Sequence, residues 1–237
     1  MCSRQTTKKR TALHPFVIET FVTRKFGAVL FDLDGTLADT LADLANATNW
    51  ALGELHCPTH SVDSYRYKVG DGVRELCARA LPADRQDLLD DTVRLMRGRY
   101  NEHCYESTRL YPGIPELIAA LTEQHYRLAV LSNKPDDFTK QMVAHYFDPP
   151  PFGVVRGQLS NVPLKPDPTA ALQIARELGV APTRWLYVGD TNTDMRTATA
   201  AGMTPVGALW GFRDRQELVQ SGARHFVTMP AHVLDLL

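Results

Sequence analysis

The chain predicts an α/β fold, a parallel sheet flanked by helices, with an all-helical block set into it. Three observations carry this expectation. The run Ala28 to Phe31 is apolar without alternation, as a strand covered on both faces requires. From Pro112 onward strand-like and helix-like segments alternate to the end, which implies parallel pairing through right-handed crossovers. Between the two, from Asp39 to about Ser107, the pattern is helical throughout. At 237 residues, with 44% hydrophobic content and a net charge of −1, this is the composition of a soluble globular protein of one or two domains. Balanced charge gives no broad attraction to nucleic acid or to an anionic membrane, and no apolar run approaches a membrane span. Cys2, Cys57, Cys77 and Cys104 stand far apart with no CxxC pair, so reduced thiols in a cytoplasmic protein are expected.

Residues 1–23 read as an N-terminal extension. Lys8, Lys9 and Arg10 form a basic cluster, and His14, Pro15 and Glu19 spoil the following segment as a signal-peptide core. A flexible tail is the reading, with a transit peptide the alternative. The first strand stops at Asp32 and Asp34, where Gly35 turns the chain. Asp39-Thr40 marks a helix start, with Asp43 in the first turn and Leu41, Leu44, Ala45 and Thr48 following. Within the helical block Val73, Leu76, Cys77 and Ala80 share one face, and Leu88, Leu89, Val93 and Met96 another. His56, Cys57 and His60 suggest metal ligands by type. Pro58 breaks the helix that would align them, and no second cysteine–histidine cluster supplies more.

Alternation then resumes. A helix opens at Pro112-Gly113-Ile114-Pro115 and a strand from Arg127 to Leu131 stops at Ser132-Asn133. A helix follows from about Asp136 to Tyr146, then a proline loop at 149–151 that no helix interior tolerates. Gly153 to Arg156 is a short strand. Lys165-Pro166-Asp167-Pro168 precedes a helix ending near Gly179, a C′ glycine. Trp185 to Val188 is the next strand, again ending at acids, Asp190 and Asp194. A helix to about Ala201, a strand from Pro205 to Ala208 and two short elements complete the chain.

Asp32/Asp34, Ser132/Asn133, Lys165 and Asp190/Asp194 all lie just beyond a strand or just before a helix. In a parallel sheet the carboxyl ends of the strands share one edge, where ligands bind, so residues far apart in sequence can converge there. Each cluster alone is ordinary: a turn, a surface lysine, a helix N-cap. Together, carboxylates suit a hard divalent cation, Ser132 offers a hydroxyl and Lys165 a positive charge. A carboxylate nucleophile, a cation, donors and a lysine describe phosphoryl transfer, in which positioning and charge neutralisation dominate the barrier.

The order Asp32-Leu33-Asp34-Gly35-Thr36, Ser132-Asn133, Lys165-Pro166, and Gly189-Asp190 with Asp194 resembles the four motifs of the haloacid-dehalogenase superfamily, over about residues 26–237. Tyr111 to Leu117, Leu131 to Pro135, Lys165 to Pro168, Ala201-Gly202-Met203 and Val69 to Gly72 are similar to its phosphoglycolate phosphatase branch. The resemblance implies a Rossmann-like core (24–40 and 108–237) and a mobile helical cap (41–107) that closes over the site. It implies Asp32 as nucleophile, Asp34 as general acid/base, Ser132 on the phosphoryl group and Lys165 as charge neutraliser. Asp32, the Asp34 backbone carbonyl, Asp190 and Asp194 would hold Mg²⁺, Asp194 directly or through water. Asn133, Gly70 and Arg74 are expected to meet the substrate, Arg74 by pairing with a carboxylate.

The implied activity is a Mg²⁺-dependent phosphatase for a small phosphorylated metabolite, 2-phosphoglycolate as the single best choice. No nucleic-acid or membrane partner is expected, and the assembly is a monomer or homodimer. A β-phosphoglucomutase-like mutase and a pyrophosphatase are the alternatives within the superfamily, and a phospho-accepting signalling domain or a binding protein outside enzymes. Asp34 argues against dehalogenases and phosphonatases, which resemble one another in lacking the second acid.

Overall fold

The computed structural model describes residues 24–237. The expectation for residues 1–23 lies outside the described residues.

Six parallel strands form the main sheet: β1 (Ala28–Phe31), β4 (Arg127–Pro135), β5 (Val154–Gln158), β6 (Trp185–Gly189), β7 (Thr204–Ala208) and β8 (His225–Val227), in the order β5-β4-β1-β6-β7-β8. β1 is central, and all four of its residues are fully buried, which is why its sequence does not alternate. Val29 and Phe31 join one core with helices α4 (Ile114–Glu123) and α5 (Asp136–Tyr146). Ala28 and Leu30 join the other, with α6 (Thr169–Glu177) and Ala198 of α7 (Asn192–Ala200). The chain adds strands outward from β1 on one side and then returns to add β6 on the other. The boundary between β1 and β6 is therefore the point where strand order reverses, where an open α/β sheet forms its crevice.

Between β1 and β4 the chain leaves the sheet. β2 (Ala38–Asp39) and β3 (Arg109–Leu110) pair antiparallel, so exit and return run side by side. Enclosed between them are α1 (Leu41–Glu54), a 3₁₀ turn Val62–Tyr67, α2 (Val73–Ala80), a second 3₁₀ turn Ala83–Leu88 and α3 (Leu89–His103). The Asp43 carboxylate fastens the two connections, accepting from the backbone N–H of Ser107 (2.9 Å) and of Thr108 (2.8 Å) and from the Thr108 hydroxyl (2.8 Å). His60 meets the Ala80 carbonyl through Nε2 at 2.7 Å, so its ring ties two parts of the helical block together. Among the described residues no helix is long and apolar enough to cross a membrane.

Two strands differ from expectation at their ends. β4 continues past Leu131 to Pro135, and β5 starts and ends later than Gly153 to Arg156. The pairing shifts register between Leu131 and Pro135, so Ser132, Asn133 and Lys134 stay extended and buried instead of forming a turn. Gly157 makes this possible. A Cβ there would strike the Lys134 carbonyl and the Asp136 Cα, so only glycine lets β5 approach the displaced end of β4.

Candidate active site

Asp32 emerges at the carboxyl end of β1, and its Oδ1 accepts from the Leu33 amide at 2.7 Å and from Lys165 Nζ at 2.9 Å. Lys165 comes from the loop before α6. Its ammonium also donates to Asp194 Oδ1 (2.7 Å) and to the Leu131 carbonyl (3.2 Å). Asn133 holds that loop in place. Its Oδ1 accepts from the Lys165 amide (2.9 Å), while its Nδ2 donates to the carbonyls of Lys165 and of Gly70 (3.0 Å each). Asn133 is thus a clamp between β4, the Lys165 loop and the helical block, with its amide occupied by protein partners.

Asp190 follows β6 and is held from two sides. Thr36 Oγ1 donates to Oδ1 (2.7 Å) and the Phe212 amide to Oδ2 (2.8 Å). Gly35, at φ +85°, and Gly211 both lie against this carboxylate, and a Cβ on either would overlap it. The N-cap of α7 is Thr191, which forms a capping box with Asp194. Asp194 accepts four donors: Lys165 and the Tyr187 hydroxyl (3.3 Å) on Oδ1, the Thr191 amide (3.0 Å) and hydroxyl (2.6 Å) on Oδ2. A carboxylate has about four lone-pair sites. Asp194 lies within the group with both of its oxygens engaged by protein donors.

Asp32, Asp190 and Asp194 bring carboxylate oxygens within 4.8 Å of one another, all buried. Against three acids stands the single ammonium of Lys165. Burial, followed by the Asp194 charge, pushes the Asp32 carboxyl well above the usual range, with Lys165 opposing. Burial and Asp194 together push Asp190 up to about 7. Burial acts to lower the Lys165 pKa, but Asp194 and Asp32 outweigh it and hold the ammonium charged. The cluster sets three buried carboxyl groups against one ammonium. Among the described residues Asp32 Oδ2 accepts from no protein donor. An all-oxygen, negative, buried donor set of this kind fits a hard divalent cation.

Above the carboxylates a cavity of about 520 Å³, counting the space at its mouth, lies between the sheet edge and the helical block. Asp32, Asp34, Ser132, Asn133 and Gly70 line it. Lys165, Asp190 and Asp194 lie beside Asp32 through the contacts above. Arg74 is a correction. It points away from the cavity, pairs with Asp90 at 2.6 Å and is 63% exposed along its side chain. On α2 the residues facing the cavity are Val73 and Leu76, and one residue's rotation of about 100° carries Arg74 to solvent.

Two further residues meet here that the sequence reading assigned no role. Lys134 Nζ donates to Asp34 Oδ1 (2.9 Å) and to the hydroxyl of Tyr100, on α3 (2.8 Å). Burial acts to lower the Lys134 pKa, but Asp34 and Tyr100 more than offset it and the net direction is up. Burial also raises the Tyr100 hydroxyl, so it remains a phenol and a donor. Lys134 was within reach of sequence reasoning: two residues beyond Ser132, it shares that residue's face if the strand continues. Tyr100 left no signal. The helical block is held down elsewhere too. Thr193 Oγ1 donates to Asp71 (2.9 Å), and Arg213 donates to the carbonyls of Arg66 and Val69.

A family model described as haloacid dehalogenase-like hydrolase matches residues 29–208, three quarters of the chain. This chain belongs to the haloacid dehalogenase-like hydrolases. It is 35% identical over 190 residues to a phosphoglycolate phosphatase of Pseudomonas putida, covering 78% of this chain and 70% of that one. It is 33% identical over 205 residues to a phosphoglycolate phosphatase of Haemophilus influenzae, covering 83% and 92%. The solved structure of a predicted phosphoglycolate phosphatase from Haemophilus somnus superposes with a TM-score of 0.81 at 28% identity, covering 90% and 99%. The parallel six-stranded sheet flanked by helices is thus the haloacid dehalogenase-like fold.

Proposed function

We propose that this hydrolase is a Mg²⁺-dependent phosphatase acting on a small phosphorylated metabolite, 2-phosphoglycolate first, in the cytoplasm. The observation that carries the reading is the pairing of Asp32 with Lys165 beside Asp190, with Asp32 and Asp34 lining one cavity. The relatives named for phosphoglycolate favour that ester. So does the cavity's apolar wall of Val69, Val73, Leu76, Met96 and Phe138, which would leave the hydroxyls of a sugar phosphate unpaired.

Asp32 attacks phosphorus in line, forming an aspartyl-phosphate as the bond to the leaving oxygen breaks. Asp34 gives that oxygen a proton and the alcohol departs. Asp34 then takes a proton from water, whose oxygen attacks phosphorus, releasing phosphate and restoring Asp32. Lys165 offsets the charge gathered on Asp32 and the phosphoryl oxygens, and the Ser132 hydroxyl donates to one of them. Mg²⁺, held by Asp32, the Asp34 carbonyl and Asp190 with Asp194 contributing charge, would supply further neutralisation of the phosphoryl oxygens. The helical block over the cavity limits bulk water during the reaction.

The test is phosphate release with Mg²⁺ across a panel of small esters. We expect turnover of 2-phosphoglycolate, its loss in Asp32→Asn, and a fall on the order of 10²–10⁴-fold in Asp34→Asn. Full activity of Asp32→Asn, after excluding deamidation, would remove the covalent route.

A further inference from the structure

The transfer chemistry accounts for Asp32, Asp34, Ser132 and Lys165, yet the same cavity holds a second polar group that it leaves unused. Lys134 is the one cationic side chain lining the cavity among the described residues, and its side chain is only 3% exposed. An ammonium has three donor hydrogens. Two go to Asp34 and Tyr100, and no described protein group accepts the third. Tyr100 accepts from Lys134, and no described group accepts its own hydroxyl proton. Two donor hydrogens therefore remain side by side on a wall that is otherwise apolar on the side of the helical block, through Val69, Val73, Leu76 and Met96.

We propose that Lys134 and Tyr100 read the leaving group, and that what they read is a carboxylate next to the carbon bearing the phosphate ester. The substrate class is then the phosphate esters of short 2-hydroxy acids. This rests on the reading of the site as a phosphomonoesterase. The spacing follows from Asp34, which must come within about 3 Å of the leaving oxygen to pass it a proton. Lys134 Nζ is 2.9 Å from Oδ1 of the same carboxylate, so a leaving oxygen that meets Oδ1 lies within about 6 Å of the ammonium. A hydrogen bond of about 3 Å from Nζ leaves about 3 Å between its acceptor and the leaving oxygen, the span of an O–C–C–O unit. A carboxylate's two oxygens take both free donors, and against these buried side chains a charge-assisted pair outweighs a neutral one. A leaving group ending in a hydroxyl presents no countercharge.

The experiment compares kcat/KM for 2-phosphoglycolate and for 2-hydroxyethyl phosphate, the same length with the carboxylate replaced by a hydroxymethyl group. It uses the full chain with Mg²⁺ as wild type, Lys134→Met and Tyr100→Phe. Wild type is expected to prefer the acid. In Lys134→Met that preference falls on the order of 100-fold, chiefly through KM for the acid, and in Tyr100→Phe on the order of 10-fold. A Lys134→Met protein that loses both substrates by the same factor, or a Tyr100→Phe protein whose preference is untouched, overturns the assignment. Should Lys134→Met fail to fold, Tyr100→Phe decides alone, since it removes one hydroxyl from a packed ring. Wild type hydrolysing both esters equally sinks this inference and leaves the phosphatase reading standing, whereas hydrolysis of neither sinks both.

Discussion

A buried ammonium is tolerable only when its charge is met, and Lys165 is met twice, by Asp32 and Asp194. The same rule separates the useful basic residues from the incidental ones. Lys134 is enclosed and paired to Asp34, whereas Arg74 sits in water with Asp90, where an ion pair contributes about 0–1 kcal/mol. Arg74→Ala is therefore expected to shift stability by no more than about 0.5 kcal/mol. Its kcat/KM on 2-phosphoglycolate should stay within a factor of two. Urea unfolding and steady-state kinetics check this, and a tenfold loss of kcat/KM would return Arg74 to the site. The exposed arginine was a reasonable candidate in the sequence because its type suits a carboxylate. Only its position on the turn of α2 decides that it points outward.

Among the elements, the connection between sheet and helical block depends most on a single side chain. Asp43 lies in the first turn of α1 yet does not cap its own helix. It gathers the backbone of Ser107 and Thr108 from the returning segment, beside the β2–β3 ribbon. Asp43→Ala would leave the buried amide and hydroxyl of Thr108, and the part-buried amide of Ser107, without their acceptor, the two buried groups each costing about 1–3 kcal/mol before relaxation and water entry reduce it. A loss of about 2–4 kcal/mol in chemical denaturation is expected. Hydrogen exchange should rise first at 105–110. Protection unchanged there would show that the ribbon holds without the clasp. The end of β4 also depends on a single residue. Its apolar run to Leu131 was legible, but its continuation through Ser132, Asn133 and Lys134 was not, because polar residues after an apolar run normally signal a turn. What keeps them extended is Gly157 on the neighbouring strand, whose missing Cβ admits the shifted register.

For the molecule as a whole, the three clustered acids set against one lysine make the folded state a better cation binder than the unfolded chain. Mg²⁺ at about 100 times its dissociation constant should then stabilise the fold by about 2.7 kcal/mol. For a chain of this size that is a Tm increase of about 5–10 °C. Differential scanning calorimetry with Mg²⁺ and with EDTA checks it, and Asp190→Asn should remove the increment. An identical Tm in both buffers would speak against a cation among these carboxylates.

The parallel sheet and the convergence of Asp32, Ser132, Lys165 and Asp190 follow from the chain alone, because strands buried on both faces declare themselves by unbroken apolar runs. Their carboxyl ends must share one edge. The tertiary structure alone decided which neighbours complete the site. Tyr100 reaches Lys134 from α3 in the helical block, and Asp194 is engaged by Thr191, Tyr187 and Lys165. Periodicity records which side of an element is covered, and carries no information about which particular group lies across the gap.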